Sequence, residues 1–130
     1  MAKKYPRVKI EGVRVAKIKN RYMFRNNKGA DPNKFHYYLI YTDKYSGQNI
    51  AVQTTHLYQK DTNRFRALAN GHGIKMQLPG FETPTMILKK FHTSNARGQA
   101  IDFAHRDVRV KSKVSRSKAR RLYRYVASNI

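Results

Sequence analysis

Apolar and polar positions alternate most clearly in two neighbouring stretches, 36–42 (HYYLIYT) and 49–55 (NIAVQTT), both rich in β-branched and aromatic residues. Turn-forming residues fill 43–48 between them, so the pattern predicts a β-hairpin. A tight loop at Tyr45-Ser46 makes paired residue numbers add to 91, and a loop centred on Ser46-Gly47 makes them add to 93. Both registers give the same two faces. Tyr37, Leu39, Tyr41, Ile50, Val52 and Thr54 share the face expected to join the core. His36, Tyr38, Ile40, Thr42, Asn49, Ala51, Gln53 and Thr55 share the other, expected to be the polar one. A one-residue slip would invert one strand and spoil the core, so the partition is well specified.

Weaker periodicity surrounds the hairpin. Residues 8–24 alternate loosely through Val8, Ile10, Val13, Val15, Ile18, Tyr22 and Phe24, with Gly12 interrupting, which predicts one bulged strand or two short ones. Residues 25–34 form a polar loop. The stretch 56–73 reads as a long connection in which Asp61 is placed to cap a short helix. Short strands are expected over 74–78, over 85–91 and within 101–110. In the tail, Val114, Ala119, Leu122, Tyr123 and Val126 fall near one helical stripe, and Ser112 or Ser115 is a candidate cap. Arg116, Lys118, Arg120, Arg121 and Arg124 occupy much of the remaining surface. This segment reads as a basic helix docked by a narrow stripe, or as an arm that folds on nucleic acid. The expected organisation is a basic arm at 1–7, a β-rich core at 8–110 and a basic C-terminal helix at 111–130. The fold class is mainly β or α+β: a small SH3-like barrel or a strongly twisted antiparallel sheet of five or six strands.

Charge decides the class of partner. The 130 residues include 28 Lys and Arg against 7 Asp and Glu, a net charge of +21. A chain so charged collects polyanions, and nucleic acid is the commonest for a small protein. Anionic lipid competes, but it asks for a basic amphipathic helix with bulky apolar anchors, of which the tail is only a partial example. No run approaches the roughly 20 apolar residues of a membrane span. The N-terminus has basic residues without an apolar stretch behind them, so no secretory signal is expected and the expected location is cytoplasmic. The chain has no Cys, which removes disulfides, Cys-based metal sites and thiol nucleophiles.

The remaining chemistry is narrow. His36, His56, His72, His92 and His105 form no HxxxH or HExxH arrangement, and the seven acids are scattered, mostly in turns. No metal site or cofactor is therefore expected. RNA can still be cut without a metal when its own 2′-hydroxyl attacks the adjacent phosphate, given a base, an acid and cations. The hairpin's second face supplies His36, Tyr38, Gln53 and Thr55, with His56 next in sequence. Lys34 precedes this group, and Arg64 and Arg66 follow in the long connection as further phosphate contacts. Tyr38 is a candidate base-stacking platform on this face, whereas Tyr37 and Tyr41 belong to the core.

Tyr38-Leu39-Ile40-Tyr41, the strand running from Ile50 to His56, Leu78-Pro79-Gly80-Phe81-Glu82 and Pro84-Thr85-Met86-Ile87-Leu88 follow one another in an order that resembles the MazF/PemK-like toxins, including their ToxN-like members. The resemblance spans roughly residues 35–92. It implies an SH3-like barrel, metal-independent endoribonuclease activity and a protein or RNA antitoxin as partner. The family's strand-end Pro-Ile-Thr-Ser reads Gln53-Thr54-Thr55-His56 here, which puts Thr55 in the place of the catalytic threonine. His36-Tyr37 stands where the family has Arg-Pro, a departure that removes the arginine expected to hold the phosphate and leaves that role to Lys34 or Arg64; His36, on the same hairpin face as Thr55, completes the candidate catalytic pair. The expectation is an RNA-binding protein, RNA being favoured over DNA, of endoribonuclease-toxin type. The alternative is a non-enzymatic ribosomal, ribosome-associated, plasmid or phage nucleic-acid-binding protein.

Overall fold

The computed structural model describes residues 8–24, 31–56 and 73–129. Its elements are β1 (Arg14–Lys19), a single helical turn α1 (Asn20–Met23), β2 (Phe35–Thr42), β3 (Asn49–His56), β4 (Gly73–Met76), β5 (Thr85–His92), β6 (Val108–Lys113) and α2 (Arg116–Asn129). The strands form one six-stranded sheet in the order β4-β5-β3-β2-β1-β6, and every neighbouring pair is antiparallel. β4 and β6 are opposite edges, so the sheet is open and not a barrel. The antiparallel sheet with a basic C-terminal helix is thus the form the fold takes.

The β2–β3 hairpin pairs Tyr38 with Gln53 and Thr42 with Asn49, the register in which numbers add to 91. Its loop is wider than a two-residue turn and is built around one carboxylate. Asp43 accepts hydrogen bonds from the Ser46 backbone N–H at 3.0 Å and the Ser46 hydroxyl at 2.6 Å. Gly47 donates its N–H to the Asp43 carbonyl at 2.9 Å and takes a φ of 73°, a conformation that suits glycine. At the other end of the sheet, a Cβ on Gly73 would stand 2.2 Å from the Ile87 carbonyl oxygen, so β4 can lie against β5 only with glycine there.

Both faces of the sheet are buried, each in its own apolar cluster. Val13, Val15, Leu39, Tyr41, Ile50, Val52 and Ile87 face α2, which contributes Ala119, Leu122 and Val126. On the opposite face Ala16, Ile18, Tyr38, Ile40 and Ala51 pack under Tyr22 and Met23 of α1 and under Ile101 and Phe103. The face expected to be polar is therefore a second core. Its polar members serve the covering chain. The buried Asn49 donates through Nδ2 to the carbonyls of Val8 at 3.1 Å and Ile101 at 2.8 Å. Thr42 Oγ1 accepts the Ile10 N–H at 2.9 Å.

The tail is equally committed to the core. α2 begins just after Ser115, whose carbonyl accepts the Ala119 N–H at 2.9 Å, the first bond of the helix. Val114 N–H bonds the Val13 carbonyl at 2.8 Å, Tyr123 meets Tyr41 edge-on at 5.0 Å, and the Tyr125 hydroxyl donates to the Ile87 carbonyl at 3.2 Å. The helix thus crosses the sheet from the β6 side to β5. Leu122 is fully buried, so the helix is an integral layer and not a lightly docked arm.

Three boundaries differ from the sequence reading. Residues 20–23 turn into α1 instead of prolonging a strand, because Asn20 and Arg21 donate their backbone N–H groups to the Lys34 and Pro32 carbonyls. The last strand occupies Val108–Lys113, so residue 110 lies inside β6 and not at the end of the β-rich region. Residues 8–13 run outside the strands. The arm at 1–7, the Asp61 cap and most of the long connection lie outside the described residues.

Candidate nucleic-acid interface

On the face that carries α2, the apolar side of β1 changes character partway along. Val13 and Val15 are buried, and the next two residues in the same alternation are Lys17 and Lys19. The antiparallel register sets Lys17 opposite Tyr37 and Lys19 opposite Phe35. Lys17 Nζ lies 5.3 Å from the Tyr37 ring centre and Lys19 Nζ lies 5.5 Å from that of Phe35. β6 adds Arg109, paired with Lys17, whose guanidinium carbon sits 4.6 Å from the Phe35 ring centre. Phe81 meets Tyr37 edge-on at 4.8 Å. Phe35, Tyr37 and Phe81 are half-buried, and Arg109 is exposed. The result is a basic aromatic platform on the side of the sheet that also presents the α2 arginines.

Beside the platform, Phe35, His36, Tyr37, Thr55 and Phe81 help to line a shallow hollow of about 190 Å³. The structure therefore brings the candidate pair His36 and Thr55 to one depression at the open end of the hairpin. His36 Nδ1 lies 2.6 Å from Asn20 Oδ1, a contact that orients the ring from the buried side. The hollow's lining includes no lysine or arginine among the described residues.

Other sequence candidates are placed differently. Tyr38 is fully buried, and burial pushes its phenol well above the usual range, so it cannot serve as an open stacking platform. Its hydroxyl has no hydrogen-bond partner among the described residues. Gln53 Oε1 lies 3.4 Å from His92 Nε2, a long contact, and His92 is held below the ordinary histidine value by burial and then by Lys90. Lys34 is exposed, with its backbone N–H bonded to the Asp31 carbonyl. His56 pairs with Thr85 through the strand ladder, and its side chain, like all of Arg64 and Arg66, lies outside the described residues. Arg116, Arg120, Arg121 and Arg124 are exposed along α2, and Lys118 is half-buried.

Lys17, Lys19, Phe35 and Arg109 are not sequence candidates, and Phe81 enters the sequence reading only as part of the 78–82 motif and not as a site residue. The available signal was the change from Val13 and Val15 to Lys17 and Lys19 at a period of two, and it gains meaning only once β1 is registered on β2. Close to the platform, Arg21 donates through Nε and Nη2 to both carboxylate oxygens of Asp107, at 3.0 and 2.9 Å. These bonds hold the Asp107 carboxyl below the usual carboxylate range and raise Arg21.

No cluster of three or more His, Asp or Glu able to hold a metal occurs among the described residues. No helix among them is long and apolar enough to cross a membrane. Comparison with protein-family models, with curated proteins and with solved structures finds no match to this chain.

Proposed function

We propose that the protein binds single-stranded nucleic acid, RNA in preference to DNA, on the sheet face shared by the basic aromatic platform and α2. The observation that carries this reading is the set Lys17, Lys19 and Arg109 arrayed over Phe35 and Tyr37. Unpaired bases stack on aromatic rings and on guanidinium planes, while the ammonium groups meet the phosphates. Duplex nucleic acid hides its base faces and loses the stacking part. Fluorescence anisotropy with labelled single-stranded and duplex RNA tests the reading. Single strands should bind more tightly, and Phe35→Ala should weaken them by about 1–3 kcal/mol, the usual worth of a base–aromatic stack. Equal affinity for single strand and duplex, unchanged by Phe35→Ala, would refute it.

A second reading, metal-independent RNA cleavage of the MazF/PemK-like type under the control of an antitoxin, is favoured by His36 and Thr55 lining one hollow. His36 would move the proton and Thr55 would hold the phosphate. Incubation of the protein with a broad RNA pool in EDTA, with new 5′-hydroxyl ends mapped, separates the two readings. Cleavage lost in both His36→Ala and Thr55→Ala supports the enzyme. RNA left intact by the wild type leaves a non-enzymatic binder of ribosome-associated, plasmid or phage kind.

A further inference from the structure

A cleft of about 620 Å³ lies between α1 and the 95–107 segment, within the size range of small-ligand sites. Its lining includes Asn95, Arg97, Gln99, Asp102, His105 and Arg106. Arg21 is also present but is taken up by Asp107. Arg97 and Arg106 are exposed, and neither side chain has an ion pair or hydrogen bond among the described residues. The His105 ring rests on the buried Tyr22 ring at 4.4 Å while its side chain stays 38 % exposed. Tyr22 is itself fixed, its hydroxyl accepting the Asp102 N–H at 2.8 Å. Asp102 Oδ1 accepts the Ala104 N–H at 3.0 Å, which orients the carboxylate.

We infer that this cleft takes one nucleotide of the bound strand and selects guanine. Arg97 and Arg106 meet the phosphate, and the base lies against His105, which is braced from behind by Tyr22. The Watson–Crick edge of guanine offers two adjacent N–H donors, and a carboxylate such as Asp102 accepts both. Adenine and cytosine each offer one amino group beside an acceptor that the carboxylate repels, and uracil offers one N–H between two carbonyls. The cleft lies on the opposite face of the sheet from the platform, and the two come together at one end of β1. Lys19 N–H bonds the Asp107 carbonyl at 3.0 Å, so the Arg21–Asp107 pair joins Lys19 and Arg109 on one side to the cleft on the other. A strand stacked on Phe35 would have to turn around this end of the sheet to place one nucleotide in the cleft. The inference rests on the single-strand reading for its biological ligand, but the cleft itself can be tested alone.

The test titrates the ¹⁵N-labelled full chain with GMP, AMP, CMP, UMP and inorganic phosphate, followed by NMR. GMP should shift the signals of residues 95–106 at a concentration at least about fivefold lower than the other nucleotides, as a bidentate base contact allows. Asp102→Asn keeps an oxygen for the Ala104 N–H, so the fold should persist while the guanine advantage disappears. Arg97→Ala with Arg106→Ala should weaken all four nucleotides together. Equal response to the four nucleotides, or to phosphate alone, overturns the guanine pocket. Unmoved signals at 95–106, while an oligonucleotide still binds in a Phe35-dependent way, overturn the pocket and spare the platform. GMP shifts in the cleft with oligonucleotide binding indifferent to Phe35→Ala would spare the pocket and sink the platform.

Discussion

Asp107 is nearly buried, with 7 % of its side chain exposed, while its partner Arg21 is 41 % exposed. A buried carboxylate that accepts two guanidinium N–H groups stays ionised to lower pH than it does in the unfolded chain, where it titrates at about 3.9. The folded state therefore binds fewer protons on Asp107 between those two values. The pair's contribution is complete above about pH 4 and is lost as the pH falls through the lowered folded value. Urea midpoints followed from neutral to acid pH should show this loss in the wild type, and Asp107→Asn should be less stable at pH 7 with a flatter acid limb. An unchanged limb would mean that other carboxylates dominate. Tyr38 makes the opposite case. Its buried hydroxyl has no hydrogen-bond partner among the described residues, a state that costs about 1–3 kcal/mol, so Tyr38→Phe should be neutral or stabilising by up to that amount. A clear destabilisation in urea melts would reveal a partner for the hydroxyl.

At the level of elements, α2 and the sheet form one core. Leu122 is fully buried among Val13, Val15 and Leu39 of the same cluster, so Leu122→Ala should cost about 2–5 kcal/mol in urea or thermal melts. A loss under about 1 kcal/mol would restore the picture of a loosely docked helix. The helix stripe was legible because Ala119, Leu122 and Val126 recur at helical spacing. The structure selects the register of 91 over that of 93, but both share one division into two faces, so the hairpin and that division were legible from the alternation. The second core was not, because what covers it has no period: one helical turn, and Ile101 and Phe103 in an irregular segment. Asn49 and Thr42 look solvent-facing in the sequence, yet they are buried or half-buried by bonding to passing backbone. That His36 and Thr55 lie on one face of the hairpin was readable from its alternation, and both line one hollow. The platform needed three strands in register, a non-local fact that no local pattern carries.

Across the whole molecule, the charge of +21 sets the response to salt. Each phosphate neutralised on a single strand contributes about −0.7 to the slope of log affinity against log salt. A footprint on the platform and α2 should give a slope of roughly −4 or steeper. Lys17→Ala, Lys19→Ala and Arg109→Ala should each flatten it by about 0.7. A slope near zero would remove charge as the basis of binding. The open flank of β6 carries a different consequence. Among the described residues its outer backbone has no strand partner, which makes it a template for another sheet, and Val110, 39 % exposed, sits between Arg109 and Lys111. Repulsion between like-charged flanks keeps two copies apart over about 10 Å in 0.1 M salt but over only about 3 Å in 1 M salt. The concentrated salt that strips a polyanion from this protein is thus the condition under which its bare edges are least protected from joining. Handling should respect that order, with the flank shielded or the chain diluted before the salt is raised.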